Sequence, residues 1–351
     1  MKKNIAVLKG DGVGPEIIDA TLMVLRVVEK KFNHRFIITE GLIGGAAIDE
    51  VGEPFPKATE KLCLSVDAIL FGAIGDPKYD NDPSLKIRPE QGLLKMRKKL
   101  GLYANVRPIF TYTSLLNKSP LKKELVDGVD FVVVRELISG VYFGKRGRGV
   151  DGKSAFDTST YTIEEIERVG KYAFRLAQLR RRKLTLVDKA NVLETSRLWR
   201  ETVQKMAHRF PTVSVEYLFV DNASMQIIKN PREFDVILTE NMFGDILSDE
   251  ASVITGSIGM LPSASIGEKT SVYEPIHGSY PKATGKNTAN PIGTILSAAM
   301  MLEYSFDMHD EAKDIRRAVN ELLQSGEGTK DISSGKVLST TQVADRIAKS
   351  L

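Results

Sequence analysis

The sequence predicts an α/β fold, and three observations lead there. Short apolar runs of strand character alternate with segments of helical period along the chain. With 351 residues, 42% hydrophobic and 27% charged, there is enough chain to bury a large core, in two domains or one elaborated domain. No repeat of fixed period and no low-complexity linker interrupts the pattern.

The elements follow in order. NIAVLK (4–9) precedes PEIIDATLMVLRVVEKKF (15–32), with Pro15 suited to the first turn of a helix. A helix is expected from about RPEQGLL (88–94). Thr162 and Glu165 have capping-box spacing at the start of TIEEIERVGKYAFRLAQL (162–179). KLTLVD (183–188) leads into a helix expected to begin near Lys189 and Asn191. VEYLFV (215–220) reads as a strand, and FDVILT (234–239) precedes the helical GDILSDEASVI (244–254).

Several function classes are not indicated. A net charge of +4 and a pI of about 8.9 are mild, and the basic runs KRGR (145–148) and RRRK (180–183) read as solvated surface, so no nucleic-acid partner is expected. The single cysteine, Cys63, sits in an apolar run and reads as a buried thiol of a reducing compartment. The four histidines lack zinc-ligand spacing. The N-terminus reads as a first strand and not a signal peptide, and no segment is long enough to span a bilayer, so a cytoplasmic location is expected.

The chemistry concentrates in acids and arginines. Asp245 and Asp249 are four apart on an expected helix, so both carboxylates point the same way. Together they can share a divalent cation such as Mg2+ or Mn2+, with Asp221 as a third oxygen donor. The alternative is a solvated helix face. Arg97, Arg107 and Arg135 are candidate anion clamps, each equally readable as an ordinary ion pair. Lys189 follows a strand end, beside Asp188 and Asn191.

Three irregular segments stand out. GDGVGPE (10–16) has G-x-G-x-G spacing followed by Pro15, not the GxGxxG of a dinucleotide fingerprint, so it reads as a tight turn or as a backbone surface for a ligand. EPIHGSYPKATGKNTANP (274–291) is a long loop able to wrap an adenosine moiety. Residues 139–162 are Gly-rich and polar, and should project from the body as an arm for pairing subunits or as a surface loop.

These segments, with RPEQGLLKMRK, ANVRP, VRELISGVYFG, VDKANVL, VDN, ENMFGDILSDEAS, GMLPSAS and GKNTANP, resemble the motifs of the β-decarboxylating dehydrogenases. This is the isocitrate/isopropylmalate dehydrogenase family, and the motifs occur in the family's order from residue 7 to residue 291. The resemblance implies two α/β domains, neither of Rossmann type, with the active cleft between them. It puts a coenzyme-binding first domain at 1–103 plus 256–351, and a second domain with the dimer interface and arm at 104–255.

The resemblance also implies roles. Arg97, Arg107 and Arg135 bind the malate carboxylates, and Asp221, Asp245 and Asp249 bind Mg2+ or Mn2+. Lys189 and Asp221 reach the site from the other subunit of a homodimer, and Asp221 also lies against the substrate. Lys189, in neutral form, takes the proton of the C2 hydroxyl as hydride leaves for the nicotinamide. The resulting β-keto acid loses carbon dioxide, and Tyr142 protonates the carbon left behind. His277, Gly278, Ser279, Lys282 and Asn290 are implied coenzyme contacts.

Residues also bear on the substrate. Glu90, Leu93, Leu94 and Arg97 occupy one helix face at i, i+3, i+4 and i+7. Where members acting on isocitrate carry hydroxyl and amide side chains, Leu93 and Leu94, with Val192, suit an isopropyl group, whose burial contributes on the order of 2 kcal/mol. The alternative is that Leu93 and Leu94 belong to the core. The expected reaction is conversion of (2R,3S)-3-isopropylmalate to 4-methyl-2-oxopentanoate with reduction of NAD, a step of leucine biosynthesis. Another 3-substituted malate, or tartrate, is the alternative substrate, and a catalytically silent scaffold is the alternative outside enzymes. Lys282 departs from the Asp that NAD-using members commonly resemble one another in having. It matches NADP-using members, but Ala283 lacks the Tyr that follows there, so NAD is favoured.

Overall fold

The computed structural model describes residues 1–80 and 85–351. Its strands are β1 (Lys2–Gly10), β2 (Arg35–Glu40), β3 (Ala68–Ala73), β4 (Ala104–Phe110), β5 (Asp130–Glu136), β6 (Arg146–Arg148), β7 (Ala155–Asp157), β8 (Lys183–Asp188), β9 (Ser214–Phe219), β10 (Val236–Thr239), β11 (Pro262–Ile266) and β12 (Val272–Pro275). The chain forms two compact units. One comprises Met1–Leu102, Tyr112–Ser119 and Thr255–Leu351; the other comprises Tyr103–Thr111 and Pro120–Ile254.

In the first unit the strand order is β2-β1-β3-β12-β11. β1 pairs in parallel with β2 and β3, β3 with β12, and only β11–β12 is antiparallel. This is not the strand order of a Rossmann domain. Residues Ile5–Leu8 of β1 are fully buried, as an inner strand of a covered parallel sheet should be. The helix Gly14–Lys31 packs against Thr340–Ser350 and Ile292–Phe306, and the last of these is buried on nearly all sides.

The turn between β1 and the first helix is a tight one built on glycine. Gly10 and Gly12 adopt φ of +69° and +59°, and a Cβ on Gly12 would lie 2.0 Å from the carbonyl oxygen of Ser279. Between them, buried Asp11 accepts backbone N–H bonds from Gly45, Ala46 and Gly75, each 2.9 Å long. Pro15 stands at the helix start, where its missing N–H costs nothing.

In the second unit the order is β4-β5-β10-β8-β9, parallel throughout except for the antiparallel β4–β5 pair. The continuous apolar run Phe131–Val134 makes β5 a strand covered on both faces. The Thr162 capping box is present, with Thr162 N–H donating to Glu165 over 2.8 Å and the Thr162 hydroxyl oxygen accepting from Glu165 N–H. Within 139–162, β6 and β7 form a two-stranded antiparallel ribbon that leaves Val150 and Phe156 exposed.

One boundary differs from expectation. The helix after β8 begins at Glu194, not near Lys189 or Asn191. Asp188 is buried, takes a bidentate pair of bonds from Arg200 at 2.9 Å, and accepts the N–H of Ala190. That side-chain turn outcompetes helix at 189–193. Cys63 is buried, and burial pushes its thiol up to about 12, so it is no nucleophile.

Candidate active site

The end of β5 and the helix Asn241–Ser252 carry the densest chemistry of the second unit. Arg135, only 1% exposed, pairs through Nη1 with Asp245. Its Nε and Nη2 donate to Asn241 Oδ1 over 3.0 and 2.7 Å. Antiparallel pairing brings Arg107 of β4 to the same helix, where Nη1 donates to Ser248 at 2.6 Å and to Asp249 at 3.1 Å. Its Nη2 lies 3.6 Å from Asp245. Tyr142 donates its phenol to Asp245 Oδ2 over 2.9 Å, and the Arg135 guanidinium stands 5.6 Å from the centre of its ring. Asp245 and Asp249 thus share a helix and two arginines. Asp249 is largely open to solvent, its side chain 60% accessible, with Arg107 at 3.1 Å as its charged partner.

Gly244 explains how the helix comes so close. A Cβ there would meet Arg135 side-chain carbons at 2.6 and 2.7 Å.

Lys189 and Asp221 form a separate ion pair joining the turn after β8 to the first turn of the helix Val220–Lys229. The lysine hydrogen bond holds Asp221 below the usual carboxylate range. Val192, on the same turn, is 60% exposed. Among the described residues no three potential ligands gather into a metal cluster, so Asp221 does not join Asp245 and Asp249 within one chain.

The helix Pro89–Leu100 of the first unit carries Glu90, Leu93, Leu94 and Arg97. Leu93 and Leu94 are half-buried and Glu90 is exposed. Arg97 is buried and its Nη2 lies 3.7 Å from Glu274 of β12.

A cavity of about 770 Å³ opens in the first unit, lined by His277, Gly278 and Asn290 together with Val13, Thr288 and Asp331, among others. His277 Nδ1 lies 2.9 Å from the Gly278 carbonyl oxygen, which assigns its proton to Nδ1 and leaves Nε2 an acceptor. That buried Nε2 has no hydrogen-bond partner in the protein, and burial lowers the imidazole pKa. An acceptor without a partner beside an open cavity fits a donor on a bound coenzyme. Asn290 donates to Asp331 Oδ2 over 3.0 Å. Ser279 accepts the Val13 N–H at 2.8 Å, tying this loop to the glycine turn. Lys282 is exposed on the 3-10 turn Pro281–Ala283 and does not line the cavity.

The family model for isocitrate/isopropylmalate dehydrogenase matches residues 4–347. The chain belongs to the isocitrate/isopropylmalate dehydrogenase family. It is 54% identical to the 3-isopropylmalate dehydrogenase of Heyndrickxia coagulans, over 100% of this chain and 97% of that one. Against the enzyme of that name from Bacillus subtilis strain 168 it is 53% identical, over 97% and 95% of the two chains. Among solved structures it is similar to the isocitrate dehydrogenase of Methylococcus capsulatus, with a TM-score of 0.88, 33% identity and 99% of each chain covered. The β-decarboxylating dehydrogenase of Thermococcus kodakarensis gives a TM-score of 0.80 at 37% identity, covering 99% and 96%. As the family implies, the chain is an α/β oxidoreductase.

Some site residues carried no usable signal in the sequence. Asp331, outside every segment singled out in the sequence, lines the same cavity as His277. Asn241 and Asn105 hold the two arginines; the strand alternation that puts Asn105 on the same face as Arg107 could have pointed to the second of these.

Proposed function

We propose that this protein oxidises and decarboxylates (2R,3S)-3-isopropylmalate to 4-methyl-2-oxopentanoate with reduction of NAD, the step used in leucine biosynthesis, in the cytoplasm. The observation that carries the reading is the grouping of Tyr142, Arg107 and Arg135 around Asp245. Arg97, Arg107 and Arg135 bind the substrate's carboxylates, and their buried guanidiniums are pre-oriented for the task. Asp245 and Asp249, with Asp221 of a second subunit, are hard oxygen donors of the kind Mg2+ and Mn2+ take. When bound, the cation supplies positive charge at the substrate's C2 oxygen, and NAD supplies the hydride acceptor.

The protein's own groups handle the protons. Lys189 accepts the proton of the C2 hydroxyl, and Tyr142 Oη returns a proton to C3 after carbon dioxide departs. Half-buried Leu93 and Leu94, with exposed Val192, suit an isopropyl substituent and disfavour a further carboxylate.

Two further features support the assembly and the coenzyme. Met242 and Ile246 are exposed on the helix that carries Asp245, Val253 is exposed just past its end and Met225 is exposed on the preceding helix, apolar surface of the kind a homodimer interface would cover. Lys189 and Asp221 then serve the partner's site. Ala283, buried against Val13, Ile17 and Ala289, stands where a Tyr follows the lysine in NADP-using members, which favours NAD over NADP. His277, Gly278, Ser279 and Asn290 contact the coenzyme. Among the described residues no helix is long and apolar enough to cross a membrane.

The test is the initial rate of coenzyme reduction with 3-isopropylmalate and Mg2+, compared with isocitrate, tartrate and unsubstituted malate. Turnover dominated by 3-isopropylmalate is expected. Equal or better turnover of a substrate lacking the isopropyl group overturns the reading.

A further inference from the structure

Arg107 and Arg135 are both buried, and a buried guanidinium ordinarily has carboxylates on its edges. Here the Nε side of each meets a neutral amide. Arg107 Nε donates to Asn105 Oδ1 over 2.7 Å, and Arg135 donates through Nε and Nη2 to Asn241 Oδ1. Both asparagines are fully buried, and Asn105 lies directly opposite Arg135 in the β4–β5 ladder. The carboxylates of Asp245 and Asp249 meet the Nη groups instead.

The orientation of Asn241 is fixed from its other side. Its Nδ2 donates to the Ser139 carbonyl over 3.0 Å, so Oδ1 must face the guanidinium. Its backbone N–H donates to Tyr161 Oη over 3.0 Å, which anchors the start of the helix bearing Asp245. An aspartate in that place would set an oxygen against the Ser139 carbonyl and put a negative charge on the inner edge of Arg135. In a buried site that charge acts with little screening.

We propose that Asn105 and Asn241 are positioning residues that satisfy the inner N–H groups of Arg107 and Arg135 with neutral oxygens, so that no negative charge beyond Asp245 and Asp249 offsets these arginines before an anionic substrate binds. The proposal rests on the reading that Arg107 and Arg135 bind the carboxylates of 3-isopropylmalate. A role in shape alone predicts that at position 105 asparagine and aspartate, which are nearly isosteric, serve equally well, whereas at 241 the lost donor to Ser139 adds a cost of its own. A role in charge predicts that they do not.

The experiment compares Asn241→Asp and Asn105→Asp with the wild type in two measurements. One is calorimetric binding of 3-isopropylmalate in the presence of Mg2+ and without coenzyme; the other is the KM for 3-isopropylmalate and for NAD, with melting temperature as a control for folding. Each aspartate variant is expected to weaken substrate binding about tenfold or more and to leave the NAD KM within about twofold. If a folded aspartate variant binds 3-isopropylmalate within about twofold of the wild type, the inference is overturned while the function stands. If the wild type neither binds nor turns over 3-isopropylmalate, the functional reading falls and this inference falls with it. Should one variant fail to fold, the other carries the same test at an independent arginine.

Discussion

Tyr142 donates its phenol to Asp245 over 2.9 Å, so the proposed proton donor is held by one of the proposed cation ligands. The group that would return a proton to C3 is therefore oriented before any substrate arrives. The same aspartate meets Arg135 and Arg107, which gives one carboxylate three partners to align.

Tyr142→Phe keeps the ring over Arg135 and removes only the donor. A positioned general acid contributes about 10²–10⁴-fold, so release of 4-methyl-2-oxopentanoate should fall by about that factor. Coenzyme reduction in a single turnover should persist. Measuring both products by rapid quench separates the steps, and an equal loss in each would remove Tyr142 from the decarboxylation half.

If Lys189 serves the partner's site, two inactive variants should complement. Subunits carrying Lys189→Ala and subunits carrying Tyr142→Phe are denatured together in equal amounts and refolded. Random pairing makes about half the dimers mixed, each with one intact site, so about a quarter of wild-type activity is expected. Activity no higher than the two variants refolded separately would place both residues in one subunit's site.

Lys282→Asp should raise the preference for NAD over NADP, through acceptance of ribose hydroxyls and repulsion of a 2'-phosphate. The position is exposed, and an exposed pair is worth only about 0–1 kcal/mol, so a shift of up to about fivefold in the ratio of kcat/KM is expected. An unchanged ratio would show that residue 282 does not approach the ribose.

Glu240 is buried ahead of the helix Asn241–Ser252 and pairs with Ser196; burial pushes its carboxyl up to about 7. The unfolded chain loses this proton near the ordinary value of about 4.3. Between that value and about 7 the native state binds the more protons, so stability falls as pH rises and levels off above about 7. Glu240→Gln should remove this component, on the order of 4 kcal/mol at most across the window. Denaturant titrations at pH 5 and pH 8 check it. A pH slope equal to that of the wild type would mean that Glu240 ionises in the native state as it does in the unfolded chain.

Features that depend on local period and local chemistry were legible in the sequence. The α/β class followed from alternating strand-like and helix-period runs, and both the Thr162 capping box and the shared helix of Asp245 and Asp249 followed from spacing alone. The burial of Cys63 followed from its apolar neighbours. Where a local signal competes with a distant partner, local chemistry misleads: polar residues 188–191 resemble a helix start, but Arg200 takes up the Asp188 carboxylate and the helix begins at Glu194.

Which charges meet depends on how distant segments pack together. Arg107 reaches Asp245 and Asp249 because β4 runs antiparallel beside β5, and strand order and register over such separations leave no trace in local periodicity. Asp331 joins His277 at one cavity for the same reason. Buried polar groups take whichever partners the fold brings within about 3 Å, so the neutral amides behind Arg107 and Arg135 could be found only once the chain was folded.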